Sequence, residues 1–351
     1  MELSANAMEV LNRRYLQRND KGKVVEKPEQ MFARVARNIA SVDLIYGEDA
    51  DKSAEKFYEV MTNLEFLPNS PTLMNAGTRL QQLSACFVLP VEDSIDGIFD
   101  SVYKMAKIHQ SGGGTGFSFS RLRPKGDIVK STKGAASGPV SFMRVFDTAT
   151  DVIKQGGRRR GANMAILSVY HPDIIEFVII KRYNGMMKNF NLSVAMDDNF
   201  MKAVKKNKEI KLINPQTKKV VKKVHAKALF ELIVEQAWER GDPGVIFIDE
   251  INRKHPLPGE IEATNPCGEM PLLPYESCNL GSINLAKFVK DKRIDWRKLS
   301  KTVRTAVHFL DNVIDASKFP FSEIEVLTKA NRKIGLGIMG WAEMLIQLGL
   351  A

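Results

Sequence analysis

Short apolar runs alternate with amphipathic helical segments along most of this chain, and that alternation restricts its fold more than any other feature. The short runs favour buried strands, whereas the longer segments carry apolar side chains at helical spacing. Strands that alternate with helices are typical of a mainly parallel sheet covered by helices. The sequence therefore predicts an α/β fold, with strands at 83–89, 117–120, 165–169, 190–194, 244–248 and 278–285 and helices at 139–153, 226–238, 299–316 and 324–329.

The N-terminal part of the chain carries only helical patterns. Residues 5–18 place their apolar side chains on one face, and Pro28 suits the first turn of a second helix. A third helix is predicted at 52–64. We therefore expect an N-terminal helical cap within residues 1–82, followed by the α/β region over residues 83–351.

Residues 265–269 bring a carboxamide, a thiol and a carboxylate into one short segment rich in proline and glycine. This composition predicts a loop. If the segment is extended, alternate positions place Asn265, Cys267 and Glu269 on one side of it, where they could act on a substrate that carries hydroxyl groups. The alternative is a proline-rich turn around a buried structural cysteine. The residues by themselves leave both interpretations open.

The three cysteines, Cys86, Cys267 and Cys278, are too few for a disulfide framework in a chain of 351 residues. They suit a reducing cytoplasm, where a pair of thiols would be catalytic or redox-active rather than structural. The N-terminus lacks the basic and apolar regions of a secretory signal. No run of eighteen apolar residues predicts a membrane span.

The net charge of +10 is partly due to a lysine-rich stretch at 202–227. This stretch is typical of a solvated helix end and a hairpin with its turn at 214–217. A groove for a polynucleotide is the alternative, but the stretch lacks the interleaved aromatic residues on which bases stack. We therefore expect no nucleic-acid partner, while a basic chain also suits small polyphosphate ligands.

The α/β region contains three glycine-rich segments. Residues 111–116 follow a helix that Asp93 or Ser94 caps, and such a cluster either lets backbone amides approach an anion or forms a structural turn. It matches neither a P-loop nor a dinucleotide-binding fingerprint. Residues 134–138 and 156–163 predict mobile loops, of which the second is strongly basic.

Taken in order, the stretches 69–77, 83–87, 93–95, 111–116 and 265–269 resemble the large catalytic subunit of ribonucleotide reductases. The resemblance covers essentially the whole chain and is specific because several separate motifs occur in the same order. The segment around Cys267, its spacing to Cys278 and the N-terminal opening are similar to the adenosylcobalamin-dependent class II enzymes. An N-terminal ATP-binding regulatory domain is expected to be absent.

The resemblance implies the first half of a ten-stranded α/β barrel, with the radical cysteine on a loop inside it. The family continues into a second half-barrel, which this chain lacks. The chain is then half of a split enzyme, a truncated fragment, or a nucleotide-binding fragment without catalysis. The nearest alternative is a class I large-subunit fragment, and a nucleic-acid-binding protein is the alternative of a different class.

The resemblance also assigns roles to the site residues. Cys267 becomes a thiyl radical with adenosylcobalamin as cofactor and removes hydrogen from C3′ of a ribonucleotide. Glu269 takes the 3′-hydroxyl proton, and Asn265 orients the substrate hydroxyls. Cys86 and Cys278 supply two electrons and end as a disulfide. No metal site formed by protein side chains is predicted.

The remaining assignments concern ligands and partners. Ser70, Ala85 and Gly113 match substrate contacts, and only the backbone of Ala85 can contribute a polar contact. The loops 134–138 and 156–163 resemble those that pass effector identity to substrate choice. The implied partners are a ribonucleotide, a deoxynucleoside triphosphate or ATP effector, a thioredoxin-like or other dithiol reductant, and a second copy or a chain with the other half-barrel. The residues that match the effector site between subunits are Asp93, Ser94, Ile95 and Arg123.

Overall fold

The N-terminal part of the chain is helical, and two of its helices share a core with residues far along the chain. The computed structural model describes residues 3–128, 133–155, 159–183 and 185–350. Ser4 caps the first helix by accepting a hydrogen bond from the Ala7 N–H at 3.2 Å. The N-terminal elements are α1 (Ala5–Val10), a π-helical turn (Leu11–Tyr15), α2 (Pro28–Ala40), a 3₁₀ turn (Ser41–Tyr46) and α3 (Ala50–Thr62).

The rest of the described chain alternates strands with helices. The strands are β1 (Phe66–Pro68), β2 (Cys86–Val88), β3 (Gly114–Ser118), β4 (Lys154–Gln155), β5 (Arg159–Arg160), β6 (Asn163–Ser168), β7 (Phe190–Met196), β8 (Glu209–Ile213), β9 (Val220–His225), β10 (Gly244–Phe247), β11 (Ala263–Thr264), β12 (Pro271–Leu272), β13 (Ser277–Asn284), β14 (Val289–Lys290), β15 (Arg293–Ile294) and β16 (Ile334–Met339). The further helices are α4 (Ser70–Asn75), α5 (Ile95–Gln110), α6 (Pro139–Val152), α7 (Ile174–Ile179), α8 (Asp198–Lys205), α9 (Ala226–Arg240), α10 (Ile248–Lys254), α11 (Trp296–Ala316), α12 (Ser322–Asn331) and α13 (Trp341–Leu348), with 3₁₀ turns at Ile180–Arg182 and Leu285–Phe288.

Within the described residues, eight strands form the main sheet, with seven in the order β1-β13-β2-β3-β6-β7-β10 and β16 beside β13. Within this sheet, β2, β3, β6, β7 and β10 are parallel to one another, while β13 runs antiparallel to β1 and β2. β16 pairs with β13 in parallel. The predicted α/β fold with a mainly parallel sheet is confirmed.

The two faces of the sheet bury different side chains, because successive residues of a strand point to opposite sides. Phe87 and Ala165 belong to a large core, to which the helices α5, α6 and α9 also contribute residues. Their neighbours Cys86 and Ile166 belong to a smaller cluster on the other face, together with Ala263 of β11. The second face is therefore the one that carries two of the cysteines and the segment around the third.

The N-terminal helices share a core with the C-terminal part of the chain. Phe57 of α3 packs edge to face on Phe309 of α11, with 5.1 Å between ring centroids, and Phe66 lies 5.4 Å from the same ring. Residues of β13 and the α13 residue Met344 belong to the same cluster. The helical cap predicted from the sequence is confirmed, but its core depends on residues far along the chain.

Several predicted boundaries differ from the structure. The helix predicted at 5–18 consists of α1 and the π-helical turn and ends at Tyr15, and Arg18 pairs with Val24 in an isolated bridge. Ser70 opens the short helix α4, with Pro71 in its first turn. The strand predicted at 117–120 begins at Gly114.

None of the helices in the described part of the chain combines the length and the apolar composition that a bilayer crossing requires.

Candidate active site

A short hairpin holds residues 265–270 against the sheet face that carries Cys86 and Cys278. Its strands β11 and β12 pair Ala263 with Leu272 and Thr264 with Pro271. The Asn265 N–H donates to the Met270 carbonyl at 3.2 Å, and the Met270 N–H donates to Asn265 Oδ1 at 2.9 Å. Both ends of the loop are thus fixed by Asn265.

The loop itself is a turn and not an extended segment. The Gly268 N–H donates to the Asn265 carbonyl at 3.1 Å, and Gly268 has a φ of +83°, which glycine adopts without strain. Asn265 is buried, whereas Cys267 and Glu269 are exposed. The prediction that alternate positions put all three side chains on one side of extended backbone is wrong. The alternative of a buried structural cysteine is wrong as well.

Glycines of β3 leave the space that this hairpin occupies. A Cβ atom on Gly116 would lie 1.6 Å from the Thr264 carbonyl oxygen, and one on Gly114 would lie 2.8 Å from Cγ of Pro266. The backbone N–H groups of residues 112–115 all donate to backbone carbonyls. The hypothesis that this cluster offers amides to an anion is therefore wrong for these residues, and close packing of the hairpin explains Gly114 and Gly116.

Cys86 and Cys278 lie opposite each other in neighbouring antiparallel strands. Residues in that register have Cα atoms roughly 4.5–5.5 Å apart, within the range that a disulfide spans. Cys86 is 4% exposed and Cys278 is 0% exposed. The sequence stretches that carry the two thiols are therefore paired by the fold.

The hairpin reaches this pair through a side-chain contact. Asn265 Nδ2 donates to Cys86 Sγ at 3.0 Å. Burial raises the pKa of the Cys278 thiol well above its usual value, and the charges of Cys86 and Glu269 act in the same direction. Glu269 is thus close enough to act on Cys278 electrostatically. The structure brings together the five residues that the sequence predicts as catalytic, which are Asn265, Cys267, Glu269, Cys86 and Cys278.

The three predicted substrate contacts come from three different segments, and Ala85 is the one that belongs to the cluster on this face. Ser70 Oγ shares a hydrogen bond of 2.8 Å with the Tyr15 hydroxyl at the first turn of α4. The Ala85 N–H donates to the Cys278 carbonyl at 3.0 Å, and the Gly113 N–H donates to the Ile108 carbonyl at 3.1 Å. Neither N–H is available to a substrate, so the expected backbone contact of Ala85 is reduced to its carbonyl oxygen, which also accepts from Gly114.

The four residues predicted to bind an effector meet at the start of α5. Arg123 Nε donates to Asp93 Oδ2 at 2.9 Å, and the Arg123 N–H donates to Asp93 Oδ1 at 3.0 Å. Ser94 caps the helix by accepting from the Gly97 N–H at 3.0 Å. Ile95 is 61% exposed. The hydrogen bonds thus hold a charged pair beside an exposed apolar residue.

The predicted regulatory loops differ in how much of them can be described. Residues 134–138 lead into α6, and the Ala136 N–H donates to the Asp127 carbonyl at 2.7 Å. In the second loop, residues 156–158 lie outside the described residues. Its end packs closely, since a Cβ atom on Gly161 would lie 2.5 Å from the His109 ring.

The lysine-rich stretch forms the predicted hairpin from β8 and β9. Asn214 Oδ1 accepts hydrogen bonds from the N–H groups of Gln216 and Thr217, which makes an Asx turn. Most of β9 is exposed. The prediction of a solvated hairpin with its turn at 214–217 is confirmed.

The sequence reasoning missed polar residues that contact the site from other segments. Asn191 Nδ2 donates to the Pro266 carbonyl at 2.7 Å and so holds the hairpin loop on β7. Glu276 is 1% exposed and forms an ion pair with Lys333 at 2.5 Å. The sequence did contain a signal for Glu276, because it lies two residues before Cys278 and residues at that spacing share a strand face. No local signal marks Asn191 or Lys333.

Family models match nearly all of the chain. The model described as ribonucleotide reductase, all-alpha domain, matches residues 1–81, and the model described as ribonucleotide reductase, barrel domain, matches residues 84–351.

Curated relatives agree with these matches. A Thermoplasma acidophilum protein named vitamin B12-dependent ribonucleoside-diphosphate reductase is 50% identical, over 99% of this chain and 53% of that relative. A Mycobacterium tuberculosis protein of the same name is 51% identical, over 100% of this chain and 51% of that relative. A vaccinia virus protein named ribonucleoside-diphosphate reductase large subunit is 32% identical, over 93% of this chain and 46% of that relative. The chain spans about half the length of the curated relatives that it matches.

Proposed function

Because the chain belongs to the ribonucleotide reductase large-subunit family, we propose that it carries the radical and redox residues of a reductase that converts ribonucleotides to 2′-deoxyribonucleotides. One contact supports this proposal above all. Asn265 Nδ2 lies 3.0 Å from Cys86 Sγ, which joins the hairpin of Cys267 and Glu269 to the Cys86–Cys278 pair. We retain residues 1–82 and 83–351 as the two regions of this half.

The geometry supports a division of labour among the five residues. Cys267, as a thiyl radical, removes hydrogen from C3′, and the exposed Glu269 carboxylate takes the 3′-hydroxyl proton. Asn265 uses one amide hydrogen on Cys86 and has a second to orient the substrate hydroxyls. As the 2′-hydroxyl leaves as water, Cys86 and Cys278 give two electrons and form a disulfide.

Adenosylcobalamin is the cofactor that we propose. The two B12-dependent relatives named above are 50% and 51% identical, whereas the viral large subunit is 32% identical. The exposure of Cys267 fits a thiol that must meet a large cofactor. When bound, the cofactor supplies a carbon-centred radical that can take a hydrogen atom from a thiol. Cys267 is the residue of this chain that would face it.

The open edges of β10 and β16 are the reason to expect a second half-barrel. Among the described residues, β10 pairs with β7 alone and β16 with β13 alone, so each leaves one edge unpaired. Phe247 of β10 is 49% exposed and Ile338 of β16 is 60% exposed. Open edges with apolar side chains call for a covering partner. We propose that the covering half-barrel comes from the rest of the same protein or from a second chain.

The test is a reduction assay with adenosylcobalamin, a dithiol and a ribonucleotide, on the chain alone and with a polypeptide that supplies the second half-barrel. Activity only with the second polypeptide supports the proposal. Effector binding without any activity in either mixture would instead support a nucleotide-binding fragment.

We propose a cytoplasmic location, since a reducing compartment allows such a thiol pair to be reduced again after each turnover.

Cys86→Ser tests the redox pair. We expect the variant to start hydrogen abstraction but to lose repeated turnover, because serine cannot form the disulfide. The number of turnovers is measured as product formed per active site, with excess dithiol and the second half-barrel present. The matched control is Ser84→Ala, a nearby buried hydroxyl whose loss leaves all three thiols in place. Full multiple turnover in Cys86→Ser would refute the pair.

We propose that the effector site lies between two copies of the protein that meet at α5. Ile95, Phe99 and Tyr103 are 61%, 49% and 58% exposed, and their spacing puts them on one stripe of the helix beside the Asp93–Arg123 pair. An exposed apolar stripe of this kind is typical of an association surface.

Phe99→Glu is expected to weaken both association and effector binding, since it puts a charge into the apolar stripe. Light scattering and deoxynucleoside triphosphate binding measure the two effects. The matched control is Val326→Glu on α12, where the replaced side chain is 66% exposed. Unchanged mass and unchanged effector binding in Phe99→Glu would exclude α5 as the interface.

A further inference from the structure

A charged cluster of His255, Glu276 and Lys333, here called the Lys333 cluster, lies near the redox pair. Lys333 Nζ donates to Glu276 Oε2 at 2.5 Å and lies 3.1 Å from His255 Nε2. Glu276 also accepts from the Leu273 N–H at 2.6 Å and from Asn331 Nδ2 at 2.5 Å. The side chains of Lys333 and Glu276 are 16% and 1% exposed. Several contacts therefore hold the ammonium group in one place.

The strand register brings this ammonium group next to Cys278. Lys333 directly precedes β16, whose first residue Ile334 pairs with Asn279, the residue after Cys278. Gly335, two residues after Lys333, pairs with Leu280, two residues after Cys278, and alternate residues of a strand share a face. Glu276, two residues before Cys278, shares that face as well. Cys86 lies opposite Cys278 on the neighbouring strand.

Charged groups from four segments thus act on the Cys278 sulfur. Burial raises the pKa of Cys278, the charges of Cys86, Glu269 and Glu276 also raise it, and the charge of Lys333 lowers it. His255, whose pKa burial and Lys333 lower, faces Lys333. A thiolate on Cys278 would therefore be costly without this cation, because burial in apolar surroundings disfavours the charged form.

We propose that Lys333 is the proton donor that makes Cys278 the leaving thiol when the Cys86–Cys278 disulfide is reduced, and that Glu276 holds Lys333 in position for this step. The proposal deepens the proposed function and rests on it, because it requires Cys86 and Cys278 to cycle as a redox pair.

The step balances with a dithiol as reductant. A thiolate of the dithiol attacks Cys86 Sγ, the bond between the two protein sulfurs breaks, and its electron pair leaves on Cys278. The Lys333 ammonium group gives a proton to that sulfur and regains one from water. The second thiol of the reductant then gives its proton to water and attacks the reductant sulfur of the mixed disulfide, and Cys86 leaves as a thiolate that takes a proton from water. The dithiol is oxidised by two electrons.

The experiment measures disulfide reduction directly and needs no cofactor. In the whole chain, Cys267→Ser leaves Cys86 and Cys278 as the remaining thiols. Diamide is then used to oxidise this pair to the disulfide. Reduction by dithiothreitol is followed by quenched alkylation of the unfolded chain, and each rate is divided by the concentration of reductant thiolate. Lys333→Met and Lys333→Arg are compared with the same background. The matched control is Lys181→Met, since Lys181 forms an ion pair with Asp242 at 2.6 Å and is 18% exposed.

We expect Lys333→Met to slow the normalised reduction roughly five- to tenfold near neutral pH, because a nearby cation favours the leaving thiolate. Lys333→Arg should recover part of the rate, since it keeps the charge but cannot give up a proton.

Three results would overturn the proposal. An unchanged rate in Lys333→Met would exclude Lys333 while leaving the redox pair intact. Equal slowing in Lys181→Met would mean that loss of a partly buried ion pair is sufficient. If diamide forms no disulfide in the background chain, the redox pair itself fails, and the role of Lys333 fails with it.

Discussion

Cys267→Ala is expected to abolish ribonucleotide reduction under every condition in which the parent chain, supplied with the second half-barrel, is active. The methyl group cannot carry the radical that removes hydrogen from C3′, and Cys86 and Cys278 cannot replace it because both are buried in the sheet beneath the hairpin. The loss should be in turnover and not in folding, since Cys267 is exposed at the tip of a turn.

The measurement is deoxynucleotide formed per active site, with thermal unfolding recorded for the same preparations. Cys267→Ser provides the closest match in size, and it should be as inactive as alanine, because its O–H bond is a poor hydrogen-atom donor. Retained effector binding would show that the variants are folded. Turnover above the cofactor-only background in either variant would end the assignment of Cys267.

Gly116→Ala is expected to cause the second-largest loss, although glycine and alanine differ by one methyl group. The added Cβ would lie 1.6 Å from the Thr264 carbonyl oxygen, so the hairpin must move away from β3. Overpacking of this kind costs about 1–3 kcal/mol of stability. A displacement of about 1 Å at reacting groups can lower the rate by about a hundredfold. We therefore expect a large loss of activity with a smaller loss of stability.

The control for this prediction is Gly337→Ala in β16, where the nearest atom to the added Cβ is Ser282 Oγ at 3.6 Å. Both changes add the same group to a strand glycine, so they differ in the space available. Activity and thermal unfolding should be compared for the two variants. If Gly116→Ala keeps the activity of Gly337→Ala, the hairpin position does not depend on β3.

Local pattern was sufficient to predict most of the secondary structure. The helix at 139–153 and the strand at 244–248 were predicted to within a residue or so of Pro139–Val152 and Gly244–Phe247, because their apolar spacing and flanking residues are unambiguous. The misplaced start of β3 has a physical reason. Glycine weakens a strand pattern, and here Gly114 and Gly116 are in the strand because the hairpin needs the space.

The residues of the candidate site were predicted from the sequence, but the backbone conformation of residues 265–269 was not. The five residues expected to perform the chemistry do converge, yet the extended shape expected for residues 265–269 is wrong. The sequence carried the proline and glycine that permit a turn, but hydrogen bonds between Asn265 and Met270 determine which turn forms. Those bonds depend on the pairing of β11 with β12.

What the sequence alone determined is the kind of fold and the set of reactive groups. Hydrophobic periodicity specifies helices and strands because it acts over a few neighbouring residues, and the types of side chain at 265–269 define the chemistry. Which groups meet was decided by the tertiary structure alone. Cys86 faces Cys278, and Lys333 directly precedes the strand that pairs with β13, because strands far apart in the chain pair in one register, and register depends on the packing of the whole sheet.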